Sequence, residues 1–184
     1  AGLPFVLFPT ERKGLAPEEI TLAEVLRERG YATACIGKWH LGWLPAFQPM
    51  RQGFGEFFGL PYSNDSGKQP ADQPFNPVLA PVELPLLRGG EVIEAPVRQE
   101  TLTERYTEEA VGFIRRNRER PFFLYLPHTF PHRPLYASER FLGRSRGGLY
   151  GDTVECLDWR GGRLLDTVGG RGQENQLPVP SSQL

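Results

Sequence analysis

The chain has 184 residues, of which 39% are hydrophobic and 11% aromatic, so it is long enough for one buried core and at most one typical domain with a tail. A formal net charge of −1 and the lack of a basic stripe argue against a protein that binds nucleic acid or an anionic membrane. No run of about 18 apolar residues and no signal-type start is visible, so we expect neither a membrane segment nor a targeting segment in these residues.

The first predicted elements are a short helix and a strand. A Thr-x-x-Glu capping box begins a helix predicted over residues 21–29, with Leu22, Val25 and Leu26 on its apolar face. Gly30 occupies the position where a glycine commonly ends a helix. The apolar residues that follow predict a strand over residues 32–37.

A long irregular segment and a hairpin come next. Residues 43–81 are rich in Pro, Gly, Asn, Asp and Ser, which indicates a surface excursion of the kind that often carries function. Two short apolar segments, Leu84 to Arg88 and Glu91 to Glu94, flank the pair Gly89-Gly90. This pattern predicts a β-hairpin, which we expect to be peripheral.

A second helix and strand follow the hairpin. Thr101 and Glu104 form another capping-box pattern, and apolar residues recur with helical spacing as far as Ile114. Four arginines near the end of this helix suit its C-terminal dipole and solvent better than a ligand site. The continuous apolar run from Pro121 to Leu126 predicts a strand buried on both faces of a parallel sheet.

The last predicted element is a helix from Asp152 to Val168, weakened by the pair Gly161-Gly162. Its apolar stripe comprises Val154, Leu157, Leu164, Leu165 and Val168. Apolar periodicity is lost after this point. We therefore divide the chain into one partial domain, residues 1–168, and a tail, residues 169–184, that we expect to be disordered.

Two chemically distinctive clusters follow the predicted strands. In the segment from Gly37 to Gly42, Lys38 and His40 stand two residues apart, so in an extended backbone they would face one anionic group together. The second cluster, His128 and His132, lies just beyond a buried strand, where open α/β sheets place their ligands. The two His are spaced for zinc on a helix, but the prolines around them rule out a helix, and a single His acting as a proton donor is more economical.

These two clusters resemble two signature segments of the sulfatase family. The glycine, lysine, aromatic and histidine of residues 37–40 stand in family order, and the Pro-Phe-Phe-Leu-Tyr strand is followed by a His-x-Pro step at His132. The likeness extends over about residues 1–168. It implies an α/β fold, an alkaline-phosphatase-like sandwich with a largely parallel sheet, of which this chain would be an incomplete central portion.

The resemblance also implies roles for individual residues in the hydrolysis of a sulfate ester. Lys38 would stabilise charge on the sulfate oxygens, and His40 would orient or deprotonate the hydrate of a formylglycine nucleophile. His132 would donate a proton to the leaving oxygen, whereas His128 falls on no such position. Ser63, in a Pro-Tyr-Ser-Asn-Asp segment, would line the substrate pocket, although a serine in such a loop is most often a turn residue.

Some of the family's requirements have no match in this sequence. Formylglycine is made from the first residue of a Cys/Ser-x-Pro/Ala-x-Arg segment, and neither Cys35 nor Cys156 fits that pattern. Two cysteines in a predicted strand and helix also make no disulfide framework. The family calcium needs a group of oxygen ligands, but Asp65, Asp72 and Asp152 show no such grouping, so we assign no metal ligand and expect calcium only in the intact enzyme.

Two alternatives stay open beside a sulfate ester hydrolase. One is a phosphoryl-transfer relative of the same superfamily, which would need a Ser or Thr nucleophile near two metals. The other is a noncatalytic fragment that keeps half of a site. The resemblance implies a small sulfate ester or a sulfated glycan as substrate and an extracytoplasmic or lysosome-like compartment, and it leaves the oligomeric state open.

Overall fold

The computed structural model of the protein describes residues 2–73 and 82–170. Five strands form one sheet in the order β4-β3-β2-β1-β5, in which β2, β1 and β5 are parallel and β3 and β4 antiparallel. The elements are α1 (Leu22–Glu28), β1 (Ala32–Lys38), β2 (Glu56–Leu60), β3 (Leu86–Arg88), β4 (Glu91–Glu94), α2 (Leu102–Asn117), β5 (Phe122–Tyr125) and α3 (Gly148–Val168). The predicted α/β class is confirmed, with a parallel centre and an antiparallel edge.

Both faces of β1 are buried, which explains its apolar composition. Ile36 belongs to the core under α2, together with Tyr106 and Phe113. Cys35 belongs to a second core on the opposite face, where it packs with Ala23 of α1 and with residues from the segment after β1. The central strand is therefore held between two layers, and the chain leaves its C-terminal end from a fixed position.

The predicted capping box of α1 is confirmed, but two of the three residues of its predicted apolar face are exposed, and only Leu26 is partly buried. Thr21 Oγ1 accepts from the backbone N–H of Glu24, and the Glu24 carboxylate accepts from the backbone N–H of Thr21. However, Leu22 is 60% exposed and Val25 is 38% exposed. The helix instead turns its smallest side chain, Ala23, inward, because the backbone at Gly53 approaches it closely: a Cβ there would lie 2.3 Å from the Glu24 nitrogen.

The predicted capping box of α2 is wrong. A short 3-10 turn, Gln99–Thr101, precedes the helix and leaves Thr101 in a helical conformation rather than the extended one that a capping residue adopts. The Thr101 hydroxyl donates to the carbonyl of Arg98 at 2.8 Å. Glu104 is consequently available for a long-range contact, and it accepts from Arg160 of α3 at 2.5 Å.

The strands flanking the parallel centre also depart from expectation. The β-hairpin is confirmed at the edge of the sheet, where β4 is the outermost strand and is largely exposed, but its inner strand β3 pairs with β2 and buries Leu86 and Leu87. By contrast, β5 was expected to be buried on both faces, and it is a partly exposed edge strand within the described residues, with Tyr125 43% exposed. The sheet thus ends at β5 in the part of the chain that the structure describes.

The last helix, α3, begins four residues earlier than predicted and continues through Gly161-Gly162 without a break. Leu157 and Leu164 pack against the core, whereas the other members of the predicted stripe are exposed: Val154, Leu165 and Val168. Residues 171–184 of the predicted tail lie outside the described residues, so the tail stays a prediction. No helix within residues 2–73 and 82–170 combines the length and the apolarity needed to cross a bilayer.

Candidate active site

The loops that leave the three parallel strands meet at one edge of the sheet, because parallel strands all end on the same side. The backbone N–H of Lys38, at the end of β1, donates to the carbonyl of Pro127, which follows β5, at 2.8 Å. Two residues later, the N–H of His40 donates to the carbonyl of Pro61, which follows β2, at 3.1 Å. The segment after β1 is therefore clamped between its two neighbours.

Glycines make this close approach possible. Gly37 and Gly59 are register partners in β1 and β2, and a Cβ on Gly59 would lie 1.7 Å from the Gly37 carbonyl oxygen. Gly37 has φ of +136°, and a Cβ there would lie 2.1 Å from the Pro127 oxygen. Any larger residue would push the three strand ends apart and displace the side chains that follow.

Lys38 and His40 are brought close together, although not in the way that the alternating pattern predicted. His40 has φ of +58°, in the left-handed region, so the backbone is no longer extended there. The positive charge of Lys38 nevertheless lowers the pKa of His40. Among the described residues, His40 is the one non-glycine residue with a positive φ. Strained backbone conformations of this kind are often found at functional sites.

The ring of His40 is set up to accept a proton. Its Nε2 lies 3.1 Å from the carbonyl oxygen of Leu7, and since a carbonyl can only accept, Nε2 carries the hydrogen. Burial is the main cause that lowers the His40 pKa, followed by Lys38, and His132 lowers it further, whereas the Leu7 hydrogen bond and Asp65 raise it. Together these effects lower the pKa of His40, so the neutral ring is favoured and Nδ1 is the nitrogen that carries the lone pair.

Lys38 is half-buried, and burial lowers its pKa. The negative charge of Asp65, in the loop after β2, opposes that change and favours the charged ammonium. Asp65 raises the pKa of both Lys38 and His40, which makes it the acidic member of the cluster. In the sequence, Asp65 stands out only as a candidate metal ligand, but its position five residues after the end of β2 could have indicated this role.

The loop that carries His132 is attached to the loop after β2. Asn64, which is fully buried, donates from Nδ2 to the carbonyl of Pro134 at 3.0 Å. The amide of Gln73 exchanges two hydrogen bonds with the backbone of Leu135, at 3.0 and 2.7 Å. These contacts hold the exposed His132 on the same edge of the sheet as Lys38 and His40.

The tautomer of His132 also follows from its hydrogen bond. His132 Nδ1 lies 2.7 Å from the carbonyl oxygen of Arg133, so Nδ1 carries a hydrogen and Nε2 is the nitrogen that exchanges a proton. In the charged form, Nε2–H is a donor. The two histidines thus use opposite ring nitrogens in their bonds to backbone carbonyls, Nε2 in His40 and Nδ1 in His132.

Ser63 and His128 are also placed at this edge, in the loops after β2 and β5. The Ser63 hydroxyl is buried, and among the described residues it has no hydrogen-bond partner. His128 Nδ1 is likewise buried without a partner in the described chain, and burial lowers the pKa of His128. Unpartnered buried polar atoms of this kind are costly, and they are common where a ligand or water completes the site.

The described residues do not fit a calcium ion. A hard divalent cation takes six or more oxygen ligands, and no group of three or more His, Cys, Asp or Glu able to hold a metal occurs within residues 2–73 and 82–170.

The two cysteines, Cys35 and Cys156, are both buried, and neither forms a disulfide bond. Burial raises the pKa of the Cys35 thiol far above its usual range, which makes that thiol inert.

The described strand ends thus gather a lysine, an aspartate and two histidines, Lys38, Asp65, His40 and His132, at one edge of an α/β sheet. The family model for sulfatases matches residues 2–177. The chain belongs to the sulfatase family, and its fold is the alkaline-phosphatase-like α/β fold.

Individual relatives agree with this assignment. The chain is 39% identical to canine (Canis lupus familiaris) N-acetylgalactosamine-6-sulfatase, over 84% of this chain and 30% of the relative. It is 39% identical to human (Homo sapiens) arylsulfatase A, over 92% of this chain and 36% of the relative. The chain spans about a third of the length of the curated relatives that it matches.

Solved structures show the same fold. A crystal structure of Ps i-CgsB in complex with k-i-k-neocarrahexaose is 26% identical with a TM-score of 0.70, covering 87% of this chain and 38% of that one. The PsFucS1 sulfatase from Pseudoalteromonas sp. is 26% identical with a TM-score of 0.66, covering 85% and 36% of the two chains.

Proposed function

We propose that this chain supplies the sulfate-binding and proton-transferring part of a sulfate ester hydrolase. The observation that carries the proposal is the meeting of Lys38 and His40, at the end of β1, with His132, in the loop after β5. Backbone hydrogen bonds from Lys38 to Pro127 and from His40 to Pro61, and the bond from Asn64 to Pro134, join these segments to each other and to the loop after β2. The ammonium of Lys38 neutralises charge that builds up on the sulfate oxygens during the reaction. Fixed charges of this kind are often the largest single contribution to catalysis.

The two histidines divide the proton transfers. Neutral His40 would accept a proton at Nδ1 from the nucleophile that attacks sulfur, a group that the described residues do not supply, and charged His132 would give a proton from Nε2–H to the leaving oxygen as the sulfur–oxygen bond breaks. Such positioned acids and bases each contribute roughly 10²- to 10⁴-fold. Ser63 lines the pocket, and its unpartnered hydroxyl provides a donor for a sulfate oxygen or a sugar hydroxyl.

The remaining parts of the machinery do not fit residues of this chain. A formylglycine side chain supplies a hydrated aldehyde as the nucleophile, and none of the 184 residues stands in its precursor motif. Calcium, which family resemblance implies for the intact enzyme, has no ligand cluster among the described residues. We therefore route no step through either group, and we expect the 184-residue chain alone to be inactive.

For the substrate we propose a sulfated saccharide. Two comparisons support this proposal: one relative is named as a sulfatase of N-acetylgalactosamine, and the similar structure of Ps i-CgsB is a complex with k-i-k-neocarrahexaose. An extracytoplasmic or lysosome-like compartment is part of the same proposal.

This proposal is tested by measuring the release of sulfate from galactose 6-sulfate and from an aryl sulfate. Two proteins are compared: the 184-residue chain, and the intact protein, by which we mean the chain with any flanking sequence that its gene encodes. We expect turnover by the intact protein only, with Lys38→Ala and His132→Ala each lowering kcat at least 100-fold at unchanged unfolding free energy. Turnover by the 184-residue chain, or unaffected turnover in intact His132→Ala, would contradict it. Arg115, an exposed arginine of α2, provides the control, since Arg115→Gln should leave kcat within about twofold.

A further inference from the structure

A second cationic cluster lies away from the strand ends, between α2, α3 and the segment before α3. Three guanidinium groups surround the ring of Trp159, with the central carbons of Arg140, Arg160 and Arg163 at 4.0, 4.7 and 5.6 Å from the ring centroid. Each distance is within the range of a cation–π contact. The three charges are therefore gathered around one indole.

The cluster includes an ion pair between a buried arginine and Glu104. Arg160 is 2% exposed, and its Nη2 donates to Glu104 at 2.5 Å. The charged groups that act on Arg140 are Arg160, Arg144 and Arg163, which repel it, and Glu104, which attracts it. Around Arg140, three cations are thus opposed by one carboxylate, and burial and this repulsion together lower the pKa of Arg140.

Two donors in the cluster have no acceptor. Within the residues that the structure describes, the Nε–H groups of Arg140 and Arg160 are buried and lack a hydrogen-bond partner. An arginine normally uses its fork of donors fully when it is buried, and leaving a buried charged donor unpaired costs several kcal/mol. The cluster therefore has both unbalanced charge and unused donors, which are the two properties that an oxyanion would satisfy.

The segment that carries Arg140 and Arg144 is rigidly held. Both carboxylate oxygens of the buried Asp152 accept backbone N–H groups, from Gly143 at 2.8 Å, Arg144 at 3.0 Å and Ser145 at 2.8 Å. This arrangement fixes the backbone beneath the arginines before any ligand arrives. Preorganisation of this kind reduces the entropy cost of binding.

We propose that Arg140, Arg160 and Arg163 form a binding site for a dianionic tetrahedral oxyanion, sulfate or phosphate, as the free ion or as a phosphate monoester. A dianion balances more of the excess charge than a carboxylate does, and its four oxygens accept from several guanidinium groups at once. The site uses none of the residues assigned to catalysis, so it does not depend on the proposed function.

Trp159 provides a local probe for the test, because an anion on the arginines changes the environment of its ring. Sodium sulfate and glycerol 3-phosphate should be titrated into the intact protein at constant ionic strength while tryptophan emission is recorded. We expect a saturable change that disappears in Trp159→Phe. Arg140→Gln and Arg163→Gln, which keep the buried Arg160, should each raise the dissociation constant about tenfold or more. Arg146→Gln is the matched control, since Arg146 is an exposed arginine of the same segment and is not among the charges that act on Arg140, and it should leave the constant unchanged.

The titrations also separate the possible ligands. Saturation by sulfate alone identifies a free-ion site, and saturation by both compounds shows that a phosphate monoester fits as well. Either result supports the proposal. Tighter binding of acetate than of sulfate would overturn it in favour of a carboxylate partner. The absence of saturation, or an unchanged dissociation constant in both arginine variants, would overturn it outright.

Discussion

Asp152 allows a prediction whose size can be worked out from its hydrogen bonds. One carboxylate oxygen accepts from Arg144 and Ser145, and the other accepts from Gly143. In Asp152→Asn the remaining oxygen can keep two of these bonds, but the new NH₂ group faces the N–H of Gly143, so one charge-assisted bond is replaced by two opposed donors. A hydrogen bond to a charged group contributes about 1.5 to 3 kcal/mol, which sets the expected loss near 2 kcal/mol.

Asp152→Ala removes all three bonds and leaves the partly buried N–H groups without their acceptor, so its loss should reach about 4 kcal/mol. The assay is urea unfolding followed by circular dichroism, with the loss read as a change in midpoint at constant slope. Asp158→Asn is the control, because Asp158 lies exposed on the same helix, and it should leave the midpoint unchanged. Equal stability of Asp152→Asn and the wild type, or an equal loss in both Asn variants, would refute the reasoning.

The remaining predictions concern the glycines and the histidine of the strand ends. Gly59→Ala should lower the unfolding free energy by about 3 kcal/mol, because its Cβ would overlap the Gly37 carbonyl, whereas Gly161→Ala, with no atom within 4 Å and a place inside a helix, should raise it by about 1 kcal/mol. Thermal unfolding checks the pair, and opposite signs are required. The NMR titration midpoint of His40 should lie below its ordinary value of 6.5, and Lys38→Met should raise it by removing a nearby cation, so a midpoint unmoved by that substitution would contradict the coupling. Because the folded pKa of His40 is lowered, its neutral form stabilises the fold above pH 6.5, and this contribution should diminish as the pH falls through 6.5 towards the folded pKa.

Local patterns predicted the elements of the fold well where the contacts are local. The capping box at Thr21 and the hairpin at Gly89 involve residues close in sequence, and both are present. The patterns misled where the deciding contact comes from far along the chain. Glu104 matches a capping box but pairs with Arg160, 56 residues away, and Leu22 matches an apolar face but is displaced by the close approach of Gly53.

The candidate site shows the same division. The placement of Lys38 and His132 after parallel strands could be predicted because all parallel strands end at one edge. The left-handed turn at His40 could not, since it depends on hydrogen bonds to Pro61 and Leu7 that no local pattern specifies. The acidic member, Asp65, also follows a parallel strand, but its charge interaction with Lys38 and His40 depends on how the loops after β1 and β2 fold together, which no local pattern specifies.

The central claim is that His132 protonates the leaving oxygen of a sulfate ester held by Lys38, and its most direct test varies the leaving group. Turnover of galactose 6-sulfate, whose alkoxide is a poor leaving group, should be compared with that of 4-nitrophenyl sulfate in intact wild-type and His132→Ala protein. The account predicts that His132→Ala slows the sugar sulfate roughly 10²- to 10⁴-fold and the nitrophenyl ester far less, because a nitrophenolate leaves without a proton. An equal loss of rate with both substrates, or no loss with the sugar sulfate, would contradict it.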